Sequence, residues 1–378
     1  MSKCPLLGIG LATFLLVMSH NAYAAGGTIE IGLLADLSGP TALSDSHTVN
    51  GAQMAVDEIN ARGGIHGQML KLIIQDDRDQ NQAGVSAYEK LASNPNIVAI
   101  INSVRSTIVQ ATLPYVLRDQ IPTLIGGTDP KLTHVGNPWV FRFRPNDNYA
   151  SQAMVAYSTG AMGSKNIAIL YDTDAFGSSG NNLLIAALKK DNAHIVSDQG
   201  YTTATQDYTS YLENIKRSGA DTLETYMTNS EDEAQMLKQL RQLGLNIKIM
   251  GSPSIATAVD IQLAGDAVNG TYGVSDFVAS GTPVSKAFSS AYQAKYNSPP
   301  DLFAAWVYDA VNVVAQVIAA DGTSPSGIQK GLRAVQNYPG VEGTYSFDQN
   351  GDGLHGYWVV QTKDKTVEPI KFVDFSSS

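Results

Sequence analysis

The segment Asn102-Ser103-Val104-Arg105-Ser106-Thr107 places hydroxyls and a guanidinium side by side. It stands between an apolar run at 97–101 that reads as a strand and a helical pattern over 106–118. Its hydroxyls and backbone N–H groups therefore face the positive end of a helix, which suits an anion. A guanidinium there could hold a carboxylate through two parallel hydrogen bonds; equally, Arg105 could pair with Asp77 or Asp79 as a structural ion pair. Other chemistry is harder to assemble. Asp348, Asn350, Asp352 and Gly353 imitate the first half of a calcium loop, but Val359 stands where the bidentate glutamate belongs, so a turn is expected. His47, His66, His134, His194 and His355 are scattered without metal-binding spacing and are expected in loops or on the surface. Gly177-Ser178-Ser179-Gly180 is not framed as a nucleophile elbow and reads as a helix cap after Phe176. No Walker loop is present, no dinucleotide fingerprint follows the first strand, and no nucleophile–His–acid set can be put together. Binding is expected, with no catalysis, no cofactor and no metal.

Such a segment needs strand–turn–helix units to hold it, and the chain repeats that unit. Runs at 29–34, 70–74, 97–101 and 122–125 read as strands, with helical patterns over 51–62, 80–92 and 106–118 between them. The 51–62 pattern puts Ala52, Ala55, Val56 and Ile59 on one face and stops at Gly63-Gly64. After 139–144 the rhythm restarts, with strands at 166–171, 194–200, 222–227 and 247–250 and helices at 180–190, 208–218 and 231–243. Parallel crossovers cover both faces of a sheet, so the expected fold class is α/β with two doubly wound parallel-sheet lobes. Helical patterns at 284–296, 302–320 and 326–336, then strands at 343–347 and 357–361, break the series and suggest that the chain returns to cover the first lobe. Short candidate crossings at 144–147, 273–277 and 351–356 predict a three-segment hinge. The expected boundaries are 25–146 plus 276–355 for lobe 1 and 147–275 plus 356–378 for lobe 2.

Length and composition agree with this division. Lys3, an apolar run over 6–18 and the small-residue site Ala22-Tyr23-Ala24 form the pattern of a secretory signal peptide over 1–24, cleaved near Ala24. No later run approaches the roughly 20 apolar residues of a membrane span. Cys4 is the one cysteine and precedes the apolar run, so disulfides, thiolate metal sites and a lipid-modified cysteine are not expected. A chain of 378 residues is longer than one core usually organises. A formal charge of −10 argues against nucleic acid and anionic lipid as partners. A soluble, extracytoplasmic monomer is expected.

Several motifs carry a resemblance. Gly32-Leu33-Leu34 with Ser38-Gly39-Pro40, the helix ending Ala55-Val56-Asp57-Glu58-Ile59-Asn60-Ala61-Arg62-Gly63-Gly64-Ile65, and Asp76-Asp77 at a strand end are similar to the leucine/isoleucine/valine-binding family of periplasmic receptors. So are Gly126-Gly127-Thr128-Asp129-Pro130-Lys131-Leu132-Thr133, Tyr171-Asp172 before Phe176-Gly177, Gln235-Met236-Leu237 with Leu243-Gly244, and Asp348-Gln349-Asn350-Gly351-Asp352. The resemblance runs the length of the mature chain. It implies a type I periplasmic-binding fold that closes on a solute, and a receptor that serves an inner-membrane ABC permease. A sensory receptor feeding a membrane signalling protein is the other reading of the same fold.

The resemblance also implies a site. In the family the segment holding Ser103, Arg105 and Ser106 grips the ligand carboxylate, with serine where this chain has Arg105. Gly127 and Thr128 present a backbone group and a hydroxyl, and Phe176 matches an aromatic that packs on the ligand, unless it is a hydrophobic staple for the next helix. Asn229 replaces an aromatic with a donor and an acceptor. Ser44 falls in a loop that caps the cleft, often with an aromatic there, or is a plain surface residue. Pro253 stands where amino-acid receptors carry the acid that pairs with the ligand ammonium. Either Asp276 takes that role, or the ligand is a small carboxylate without an ammonium, an organic or aromatic acid, since a buried unpaired ammonium is costly.

Overall fold

The computed structural model describes residues 27–376 together with Met1. The signal peptide and Cys4 read from the sequence lie outside the described residues. The first series runs β1 (Thr28–Ala35), α1 (Ala42–Ala61), β2 (Met69–Asp76), α2 (Asn81–Ala92), β3 (Ile97–Ile101), α3 (Ser106–Asp119), β4 (Thr123–Ile125) and β5 (Val140–Arg142). These strands form one parallel sheet in the order β2-β1-β3-β4-β5. In β1 both faces are covered, with Ile31, Leu33 and Leu34 fully buried, as a near-continuous apolar strand in a doubly covered sheet should be.

The second series runs α4 (Asp147–Thr159), β6 (Asn166–Asp172), α5 (Ala175–Lys190), β7 (His194–Tyr201), α6 (Thr209–Ser218), β8 (Thr222–Tyr226), α7 (Ser230–Gln242), β9 (Lys248–Gly251), α8 (Ala258–Ala264) and β10 (Tyr272–Ser275). The chain then forms α9 (Pro283–Tyr296), α10 (Leu302–Asp321), α11 (Pro325–Ala334), the short pair β11 (Tyr338–Pro339) and β12 (Thr344–Tyr345), and finally β13 (Gly356–Lys363) and β14 (Thr366–Asp374). The second sheet has the order β14-β13-β10-β9-β8-β6-β7, parallel from β10 to β7 and antiparallel at β13 and β14. This is the type I periplasmic-binding fold.

The late helices do return to the first lobe. In α10, Trp306, Val307, Ala310, Val311 and Val314 are fully buried in the core built on α1 and the first sheet. α1 crosses α10 so closely that a Cβ on Gly51 would meet the Ala304 carbonyl oxygen at 2.2 Å. By length and composition α10 could cross a membrane. That corrects the sequence expectation that no later run reaches this size; its apolarity comes from being an interior helix buried nearly all round.

The chain passes between the sheets after β5, after β10 and before β13, where three crossings were expected. Two buried ion pairs bind the crossings together. Arg142 Nε donates to Asp352 Oδ1 at 2.9 Å, and Arg144 Nε donates to Asp276 Oδ2 at 2.5 Å. Asp352 also accepts from Thr133 Oγ1 and Asn146 Nδ2, so the segment that imitates a calcium loop is a packed turn at the hinge.

Several elements depart from the sequence reading. α1 begins at Ala42 instead of residue 51, and α5 begins at Ala175, with Asp174 as its cap accepting from the Gly177 N–H at 2.8 Å. The Gly177-Ser178-Ser179-Gly180 stretch is therefore helix, not cap. α4, α8 and β14 were not anticipated, and the strand expected over 343–347 shrinks to Thr344–Tyr345. His47, expected in a loop or on the surface, is a buried α1 residue whose Nδ1 lies 3.1 Å from Asp301 Oδ2.

Candidate ligand cleft

β3 ends at Ile101 and α3 begins at Ser106, so residues 102–105 form the turn at the carboxyl edge of the first sheet, where open α/β sheets bind ligands. Asn102 Nδ2 donates to Thr112 Oγ1, and Ser103 Oγ accepts from the Arg105 N–H at 3.1 Å, which sets the turn. Arg105 stands at the α3 N-cap and is only 3% exposed. Its Nη1 donates to the Thr228 carbonyl of the other lobe at 3.1 Å, and its guanidinium lies 5.5 Å from the Phe303 ring centre. Among the described residues, its Nε and Nη2 have no hydrogen-bond partner.

Asp77 and Asp79, the structural partners the sequence offered, act on Arg105 through their field, as do Asp45 and Glu231. Burial opposes the guanidinium charge, but these carboxylates outweigh it and the pKa is raised. The acids answer in kind. Burial pushes Asp45 and Asp79 up to about 7, against the opposing pull of Arg105.

A cavity of about 360 Å³, partly open to solvent, is walled by Arg105, Ser106, Thr128, Arg144, Phe176 and Pro253, with Val104, Met227, Leu302 and Phe303 supplying apolar surface. Thr228 and Ser254 complete the wall, which carries two guanidinium groups and no carboxylate. The two are not equivalent. Arg144 is neutralised by Asp276, whereas Arg105 keeps two free donors.

Of the residues singled out in the sequence, Arg105, Ser106, Thr128 and Phe176 meet on this wall. Ser106 Oγ accepts from the N–H groups of Thr128 and Asp129, tying the two turns together. Phe176 projects from the first turn of α5 and packs 4.9 Å from Tyr226. Gly127 stands behind the wall, its carbonyl accepting from Arg142 Nη1 at 2.8 Å, and a Cβ there would press on Leu132 at 2.8 Å. Ser103 likewise serves the turn. Asn229 stands at the N-cap position of α7 without a side-chain capping bond, its Oδ1 buried and unpartnered among the described residues, and borders a neighbouring groove with Glu231 and Lys238. Asp276 is bound to Arg144 and faces away from this wall.

Ser44 requires a correction. It is neither in a loop nor on the surface but in the first turn of α1, fully buried, where its N–H and Oγ both donate to Glu231 of the other lobe, at 3.2 and 2.9 Å. Similar bonds join the lobes around the cavity: Thr107 Oγ1 to Asp174 Oδ2 at 3.0 Å, Ser179 Oγ to Asp129 Oδ1 at 2.9 Å, and the Ala258 N–H to Asp301 Oδ2 at 3.2 Å. The cleft is closed. Sequence reasoning missed Arg144, Thr228, Ser254, Leu302 and Phe303 on the wall. Leu302 and Phe303 come from the returning segment, so no local pattern marks them, but the Arg142-Phe143-Arg144 alternation at a crossing was a readable signal.

Residues 28–366 match the family profile described as periplasmic binding protein. The chain is 26% identical over 331 residues to the leucine-, isoleucine-, valine-, threonine- and alanine-binding protein of Pseudomonas aeruginosa, covering 87% of this chain and 88% of that one. In structure it is similar to a leucine binding protein from Thermotoga maritima, with TM-score 0.85, 21% identity, and coverage of 92% and 99%. It is similar too to a solute binding protein from R. palustris in complex with benzoate, with TM-score 0.86, 19% identity, and coverage of 92% and 97%.

Proposed function

The chain belongs to the periplasmic binding protein family, and from that premise we propose that it is the receptor of an ABC importer for a small carboxylate without an ammonium group. An organic or aromatic acid fits this reading better than a branched-chain amino acid. The observation that carries it is Arg105, a buried guanidinium on the cavity wall with Nε and Nη2 unpartnered and no carboxylate on the same wall. Buried donors are costly to leave unmade, and two adjacent guanidinium N–H groups match the two oxygens of a carboxylate. An ammonium would instead meet Pro253, which offers it no counter-charge.

Size and surface support the same class. The space left between these walls is narrow, so the occupant is small. Phe176, Met227, Leu302 and Phe303 suit an apolar or aromatic body. The same scaffold, in the R. palustris protein, is seen with benzoate. In this reading the closed lobes are the shape an inner-membrane permease accepts, hinge closure being the known behaviour of periplasmic binding proteins as a class.

A thermal-shift panel of amino acids, hydroxy acids and aromatic acids tests the assignment, because a ligand stabilises the state it binds. The largest shift is expected from an acid lacking an amino group; leucine or valine giving the largest shift would overturn the reading. Arg105→Ala is expected to weaken that acid by at least about tenfold, roughly 1.4 kcal/mol, in calorimetric titration. Unchanged affinity would assign Arg105 to structure alone.

A further inference from the structure

Behind the crossings, on the far side of the Arg144–Asp276 pair from the cleft, lies a second and larger recess. It holds about 1140 Å³ of space, part of it open to solvent, and both lobes build it. Lobe 1 contributes Glu342 and the turn up to His355; the second sheet contributes Trp358 of β13 with Phe372 and Asp374 of β14. Asp276 closes the end nearest the cleft.

Its chemistry is the reverse of the cleft's. Among the described residues three acids line it, with His355 and no lysine or arginine, and burial together with the neighbouring Asp276 raises the Glu342 pKa well above the ordinary carboxyl range, a shift that a cation lying against it would oppose. Asp276 is already paired, but Glu342 is 4% exposed and among the described residues its Oε1 has no hydrogen-bond partner, while Oε2 accepts from the Tyr345 hydroxyl at 3.1 Å. Beside it Phe372 leaves 44% of its surface exposed, with its ring 5.1 Å from that of Trp358. Aromatic faces and acids together favour an organic cation, which gains from ring quadrupoles and carboxylates at once.

We propose that this recess is a second binding site, specific for a small organic ammonium ion and distinct from the cleft. It also bears on closure. The crossings lie between cleft and recess, so a rotation that opens one narrows the other, and an occupant of the recess favours the closed lobes. The proposal is independent of what the cleft carries.

Calorimetric titration of the mature protein with benzyltrimethylammonium, with benzyl alcohol as the neutral control, tests it. Saturable binding at one site, preferring the cation, is expected. Glu342→Gln should weaken it by at least about fivefold and the surface change Phe372→Ala by at least about threefold, with circular dichroism reporting that each variant folds. Arg105→Ala, which touches the recess only through closure, should weaken it less than Glu342→Gln does. No saturable heat up to roughly 10 mM, equal affinity for benzyl alcohol, or a loss on Arg105→Ala that Glu342→Gln does not share would overturn the site. Small-angle scattering should give a radius of gyration with the cation that is equal to or smaller than without it; a larger one would overturn the coupling.

Discussion

Arg105 shows how much one position can settle and how much it depends on neighbours far along the chain. Its place at the mouth of a strand–turn–helix unit was legible, since the 97–101 run and the helix from Ser106 stand as read. Its freedom was not. Asp77 and Asp79 are credible partners in a linear reading, and only the fold keeps them at field distance while Thr228 takes one guanidinium nitrogen from the opposite lobe. The two remaining donors give a prediction at this scale. Arg105→Lys keeps the charge but loses the planar fork and the packing over Phe303, so affinity for the carboxylate should fall by about three- to tenfold, less than for Arg105→Ala. Titration of the three proteins side by side checks the ranking, and a lysine variant as weak as alanine would show that geometry outweighs charge. Pro253 and Phe176 were legible through the family resemblance, and both stand on the cavity wall. Arg144 was visible only as an odd charge at a crossing.

Among the elements, strongly patterned ones were read almost to the residue and weakly patterned ones were lost. The 284–296 and 302–320 patterns appear as α9 and α10, because an apolar helix face is written locally. β14 was missed because it is an edge strand whose side chains, Glu368, Ile370, Lys371 and Phe372 among them, are largely exposed, so no buried alternation marks it. α5 was read late because Asp174, not the serines, is its cap. β8 carries the prediction at this scale. It lies inside the second sheet between β6 and β9, yet includes Glu224, fully buried, with Oε1 accepting from Ser158 Oγ of α4 at 2.5 Å and Oε2 unpartnered among the described residues. Burial pushes its carboxyl from 4.5 up to about 7. Below 4.5 the carboxyl is neutral folded or unfolded; as pH rises towards 7 the unfolded chain releases this proton first, so the stability it contributed is lost. Glu224→Gln never ionises. It should therefore melt at about the wild-type temperature near pH 4 and gain up to roughly 3 kcal/mol above pH 7, read as a rise in Tm across a pH series; equal gains at both ends would refute the titration.

For the whole molecule, the working feature is closure around the cavity between the lobes. The Ser44–Glu231 bonds cross from α1 to α7 and exist only when the lobes meet. Glu231→Ala should therefore weaken the cleft ligand by about three- to thirtyfold, mainly through faster release, with little change in the melting of the free protein. Stopped-flow dissociation and melting curves would check it, and a large loss of stability without ligand would move Glu231 into the fold's own support. By itself the sequence determined the α/β class, the three crossings and the family, because strand and helix periods, turn residues and motif order are local properties of the chain. It also determined which residue types reach the carboxyl edge of the first sheet. Only the tertiary structure decided which carboxylates stay off Arg105, that Asp276 belongs to Arg144, that Ser44 fastens the lobes, and that Leu302 and Phe303 return some two hundred residues later to complete the wall. The physical reason is that pairing and burial depend on three-dimensional distance, which for residues on different lobes no spacing along the chain encodes.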